Sequence, residues 1–134
     1  MAKLTQFQGD VAREEQGVWV EYAAGVEFRI ARLNNPAYQK CLRKLLKADG
    51  RRFRRRRPTD ENAEKLTNRA LAQHVLVDWR NLEDEDGSPI PYSVEKALEI
   101  LSDPQYHDIR DFVVEVATDS DVFAAEERED AEGN

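Results

Sequence analysis

The chain has 134 residues, enough for one domain with a real core, and its 35% charged content exceeds a typical value of about 25%, which describes a heavily solvated surface and a disordered end. A single cysteine, Cys41, excludes an internal disulfide and fits a reducing cytoplasm. No run of about 18 apolar residues is present to span a membrane, and the polar start MAKLTQFQGDVAREEQ has no apolar signal core.

Residues 1–16 read as polar and loosely ordered. After Gly17, the residues Val18, Val20 and Tyr22 alternate with Trp19 and Glu21. Beyond Ala23-Ala24-Gly25, the residues Val26, Phe28 and Ile30 alternate with Glu27 and Arg29. Two runs of period two around a short glycine-containing link predict a β-hairpin over 17–33, with Trp19 on its outer face. An isolated hairpin is marginal, so helices or a further strand must cover its apolar face.

Asn35 is a good N-cap and Pro36 suits the first helical position, which predicts a helix over 35–49 with Tyr38, Cys41, Leu42 and Leu45 on one face. The basic connector 51–58 follows, holding Arg51, Arg52, Phe53, Arg54, Arg55, Arg56 and Arg57 before Pro58. Thr59 or Asp60 caps a longer second helix that the apolar spacing carries to about Trp79. An acidic corner spans Leu82 to Pro91. Ser93 caps a short helix that buries Val94, Ala97, Leu98 and Leu101. Asp103 caps a last one, with Pro104 in its first turn and a stripe of Ile109, Phe112, Val113, Val116, Ala117 and Phe123. The helical part is thus 60–123, and 124–134 reads as a disordered acidic tail. The fold class is α+β: one domain over 1–123, in which an N-terminal β-hairpin packs with about four α-helices.

The net charge of −7 hides a strong polarity. Ten basic residues between Lys40 and Arg57 are opposed only by Asp49, and nine acids from Asp111 onward are opposed only by Arg128. Such asymmetry points to a charged partner, or to attraction between two parts of the same chain. The arginine run could neutralise phosphates while Phe53 stacks on a base. The acidic whole opposes nucleic acid at long range, and a solvated connector pairing with acids is the simpler reading.

No assembled reaction centre is visible, and the reading is non-enzymatic, with no cofactor and no metal. Asp84, Asp86 and Gly87 suggest calcium. In an EF-hand register, however, positions 1 and 12 fall on Leu82 and Ser93, which supply no carboxylate, so a turn with Gly87 at positive φ is the better account. His74 and His107 have no paired ligand spacing: His74 reads as partly buried on its helix and His107 as surface. Cys41 reads as a packed thiol. Trp79 and Tyr92 bracket the stiff corner Pro89-Ile90-Pro91. They read first as a small satellite core and second as a docking edge, since Trp and Tyr are enriched at interface hot spots. Trp19 raises the same question.

The order Trp79, Asp84-Glu85-Asp86-Gly87, Pro89-Ile90-Pro91-Tyr92-Ser93 and then the helix holding Leu98 to Leu101 resembles the tail assembly chaperones of long-tailed bacteriophages. Gly17-Val18-Trp19-Val20 with Tyr22, Phe28 to Arg32, and Asn35-Pro36 with Tyr38 are similar to small proteins of phage tail modules. The arginine run and the acidic tail depart from that pattern. The resemblance implies a protein that binds the phage tape measure protein, keeps it soluble and helps recruit tail tube subunits. It also implies action in the host bacterial cytoplasm, absence from the mature virion and possible homo-oligomers. The partner-binding candidates are Trp19, Arg51 to Arg57 with Phe53, Trp79 and Tyr92. The competing readings are a minor virion protein for tail completion or connection, and a small nucleic-acid-binding regulator that uses the arginine run.

Overall fold

A computed structural model describes residues 1–52 and 60–125. The expected hairpin is present: β1 (Val18–Ala23) pairs antiparallel with β2 (Val26–Ile30), with Val20 opposite Phe28 and Val18 opposite Ile30. Ala24 (φ 54°) and Gly25 (φ 81°) both take the left-handed conformation that a two-residue hairpin turn of this hand requires. Helices α1 (Val11–Gln16), α2 (Pro36–Arg52), α3 (Asp60–His74), α4 (Val94–Ser102) and α5 (His107–Ala117) complete the α+β fold, with short 3-10 turns at Leu4–Phe7 and Pro104–Tyr106.

The second long helix ends sooner than its apolar spacing predicts. Helix α3 stops at His74, and Leu76–Arg80 is a strand, β3, which pairs antiparallel with β2 to give a three-stranded sheet in the order β1-β2-β3. Val75 and Val77 are β-branched and suit a strand. The register places Arg29 opposite Asp78 and Ile30 opposite Leu76, so Val77 is the extra residue of a bulge. That bulge lets Leu76 and Trp79, at an odd spacing, both point into the core.

The core lies between the sheet and helices α3, α4 and α5. Phe28, Ile30, Leu71, Val75, Leu76 and Val113 are almost fully buried there. Tyr22, Phe28 and Phe112 form an aromatic cluster with ring centroids 4.8 to 6.4 Å apart, which ties the hairpin to α5. Burial of these side chains, each worth about 1.5–3 kcal/mol, is the main driving force. Buried Asn68 accepts from Arg110 Nε at 2.8 Å and joins α3 to α5.

The expected caps at Asn35 and Ser93 form. Asn35 Oδ1 accepts from Tyr38 N at 2.9 Å and Ser93 Oγ from Lys96 N at 3.0 Å, whereas Asp103 Oδ1, which accepts from Gln105 N at 2.9 Å, caps the 3-10 turn before α5, and α5 itself starts without a side-chain cap. Helix α2 runs through Gly50 to Arg52, beyond its expected stop.

The ends of the domain also differ from expectation. Residues 1–16 carry structure: Asp10 caps α1 through Arg13 N, Asp10 N donates to Phe123 O at 2.9 Å, and Gly9 bridges Ala124. Phe123 is fully buried, but it lies in a turn after α5, so its helical spacing was coincidental. Ala124 is fully buried and Ala125 N donates to Gln8 O, so these two residues belong with the folded part and not with a tail. Phe53 to Arg57 and residues 126–134, where the basic connector and most of the acidic tail fall, lie outside the described residues. Among those described, no helix is long and apolar enough to cross a membrane.

Candidate protein-docking surface

Three surface features stand out. The first is the N-terminal arm. Leu4, Phe7 and Val11 lie three and four residues apart, and all three are exposed (87%, 64% and 63%). Glu14 anchors the arm: its carbonyl accepts from Arg32 N at 2.8 Å, and its carboxylate pairs with the Arg32 guanidinium. Leu4 and Phe7 sit in the 3-10 turn and Val11 opens α1 after three extended residues, so the exposed apolar side chains come from two short elements of one anchored segment. The reading of 1–16 as loose missed these residues.

The second feature is α2 with its neighbour α3. Lys40, Arg43, Lys44 and Lys47 share one face of α2 at helical spacing, all exposed, and none forms an ion pair among the described residues. Beside them a groove of about 420 Å³ opens between the helices, with Ala37, Cys41 and Leu45 as its floor and Lys40, Lys44 and His74 around it. Cys41 Sγ donates to Gln73 Oε1 at 3.2 Å across the groove. Desolvation by burial lowers the His74 pKa and so favours its neutral imidazole. Arg51 and Arg52 extend the backbone of α2; the rest of the run is outside the described residues.

The third feature is the outer face of the sheet. Arg80 stacks over the Trp19 ring at 4.2 Å and pairs with Glu27 at 2.6 Å. The hydrogen bond from Arg80 to Glu27 raises the arginine pKa further, so the cation is fixed. Trp19 is half-buried beneath it, and β1 leaves its outer edge unpaired in the sheet order.

Of the candidate residues, Trp79 and Tyr92 come together and Trp19 lies on the opposite face of the sheet, while Phe53 to Arg57 lie outside the described residues. Trp79 is 5% exposed, and its indole donates to Ile90 O at 2.8 Å while meeting Tyr92 edge-on at 4.8 Å. The Tyr92 hydroxyl sits 2.7 Å from Leu76 O, at the start of β3, and 3.1 Å from Ala72 O, in the last turn of α3. Burial, with Asp78 and Glu95 nearby, pushes its pKa up to about 12. Both residues therefore pack the corner into the core, the first of the two readings, and the Trp79 indole offers no docking edge. The corner itself is a tight turn: Asp84 Oδ1 accepts from Asp86 N and Ser88 N at 2.9 and 3.0 Å, and Gly87 takes φ +79°. Among the described residues, no three of His, Cys, Asp and Glu gather as a metal site.

Chain order, sheet and surfaces define a small α+β domain in which an antiparallel sheet is backed by helices and an apolar arm and a basic helix face lie open. Residues 33–134, most of the chain, match the model of the YdaY prophage protein family, and the chain belongs to that family. It is a phage-derived protein. The arm and the strands β1 and β2 lie outside the matched span. Comparison with curated proteins and with solved structures gave no match.

Proposed function

We propose that this protein is a phage tail assembly chaperone, which binds the tape measure protein, keeps it soluble and helps recruit tail tube subunits during tail morphogenesis. The observation that carries the reading is the anchored arm, on which Leu4, Phe7 and Val11 are all exposed. A client with long apolar helical stripes needs a soluble protein that offers such side chains, and the 35% charged content keeps the rest solvated. Membership of a prophage family supports a phage-related role for the chain. In this reading the protein acts in the host bacterial cytoplasm without a reaction centre or cofactor, and is absent from the finished virion.

Co-expression with the tape measure protein of the same prophage tests it. The two should co-purify, and the client should stay soluble only in the presence of this chain. A client that is equally insoluble with and without it would end the chaperone reading. Recovery of the protein in purified particles would favour a tail completion or connector subunit instead.

The second reading, a nucleic-acid-binding regulator, draws on the open face of Lys40, Arg43, Lys44 and Lys47 beside the arginine run. Replacing Arg54 to Arg57 with serine and measuring retardation of DNA and RNA separates it. Its binding would fall steeply with salt.

A further inference from the structure

We propose that the groove between α2 and α3 is the docking site of the chain's own acidic segment, residues 126–134. The groove is complementary to it. Between Pro36 and Ala48, α2 carries four cations and no acid, and none of the four is ion-paired among the described residues. Residues 126–134 hold Glu126, Glu127, Glu129, Asp130 and Glu132 against Arg128 alone. The Ala37, Cys41 and Leu45 floor takes apolar stems and backbone while Lys40 and Lys44 meet carboxylates at the rim.

The tether starts in the right place. Ala125 is fixed to Gln8, and Ala124 to Gly9. Gly9 lies against the side chains of Glu14 and Arg32, Arg32 O accepts from Asn35, and Asn35 Nδ2 donates to His74 O at the groove. This relay of contacts leads from the last described residue to His74 on the groove wall. Nine residues in extended form reach about 30 Å. A tethered segment acts at an effective concentration on the order of millimolar, so weak charge pairs suffice to hold it there. An external acidic helix or a nucleic acid would have to displace it. The inference goes beyond the chaperone reading and stands without it.

Cys41, the one cysteine of the chain, lines the groove and reports on its occupancy. Its alkylation by N-ethylmaleimide, an uncharged reagent, is followed by mass spectrometry in three proteins. These are the full chain, the chain ended after Ala125, and the full chain with E126Q, E127Q, E129Q and D130N. Rates are compared as thiolate rate constants taken from their pH dependence, so that altered thiol ionisation does not count as access. At low ionic strength the shortened and neutralised proteins should react several-fold faster than the full chain. At about 1 M salt, where the Debye length falls to about 3 Å, the three rates should converge. Equal thiolate rates at low salt would overturn the proposal. Protection that vanishes on dilution would overturn it too, because the segment would then lie on a second copy.

Discussion

Asn35 donates its side-chain amide to the carbonyl oxygen of His74 at 3.0 Å while its Oδ1 accepts from Tyr38 N at 2.9 Å. One buried side chain thus starts α2 and ends α3. The same amide reaches Arg32 O at 2.8 Å, so three backbone groups depend on it. Asn35→Ala should lower stability by about 2 kcal/mol, combining a lost cap with the His74 carbonyl left without its side-chain donor. Asn35→Asp retains the capping oxygen and would serve at an exposed N-cap. Here it removes both donors and faces two carbonyls with a buried charge, so it should not rescue the fold. Urea denaturation of both variants checks this: an Asp variant as stable as wild type would mean the amide contacts add nothing.

The two tryptophans should separate cleanly in fluorescence. Trp79 is buried and hydrogen-bonded to Ile90, whereas Trp19 lies on the outer face of the sheet under Arg80. Trp19→Phe should leave a blue-shifted emission that acrylamide quenches poorly. Arg80→Ala should increase quenching of Trp19 and change stability by less than about 1 kcal/mol, as expected for an exposed cation–π contact and ion pair. Strong quenching in the Trp19→Phe variant would place the corner away from the core.

Much of this fold was legible in the chain. The hairpin showed itself through strict alternation and through Ala24-Gly25. The caps Asn35, Ser93 and Asp103 showed themselves because short polar side chains before an apolar stripe satisfy free helix N–H groups. The strand β3 was hidden for a physical reason. Leu71, Val75 and Val77 continue the spacing of α3, and the bulge at Val77 breaks the alternation that would betray a strand. Phe123 fell on a helical register by accident. The pairing of Gly9 with Ala124 joins distant residues through backbone alone, and no local pattern encodes it. The site was the least legible part. Trp79 and Tyr92 are aromatic in either role, and only burial tells packing from docking, whereas Leu4, Phe7 and Val11 sit within a segment that is polar as a whole.

Tyr92 should be the last tyrosine to ionise. Its pKa is pushed up to about 12 from 10.0, chiefly by burial, because the folded state favours the neutral hydroxyl. Its contribution to stability is fully present below the unfolded value of 10.0 and is lost as pH rises toward about 12. Tyr92→Phe removes the hydroxyl from Leu76 O and Ala72 O and should cost about 1 kcal/mol near neutral pH. Denaturation at alkaline pH should show the gap between wild type and Tyr92→Phe closing. A gap of constant size up to alkaline unfolding would contradict the assignment.

The two histidines should titrate on opposite sides of 6.5. Burial lowers His74, whereas a hydrogen bond to the Pro104 carbonyl, followed by the charge of Asp108, raises His107. For His74 the folded state resists protonation, so its contribution is present above 6.5 and declines as pH falls through that value. His107 has the opposite sign: its contribution is present below 6.5 and is lost as pH rises through its higher folded value. Proton NMR of the chain ended after Ala125 should show His74 titrating below His107. An acidic segment seated in the groove should move His74 upward in the full chain.

Gly17 and Gly87 both have positive φ, but they should respond differently to substitution. Gly17 has φ 91° and ψ 165°, a region essentially restricted to glycine. A Cβ there would lie 3.1 Å from Ile30 C and 3.2 Å from Ala31 N, backbone atoms of two fully buried residues that have no room to yield. Gly87 has φ +79° with nothing within 4 Å. Gly87→Ala should therefore cost only the left-handed conformation, about 1–2 kcal/mol, and Gly87→Asn should recover part of it because asparagine tolerates that region. Gly17→Ala should cost more, about 2–4 kcal/mol, and Gly17→Asn should give no recovery, since the clash comes from any Cβ. Thermal unfolding of the four variants separates the two cases. Equal losses at both sites would mean that α1 can shift away from the end of β2, and that the junction between arm and sheet is looser than its contacts with Arg32 imply.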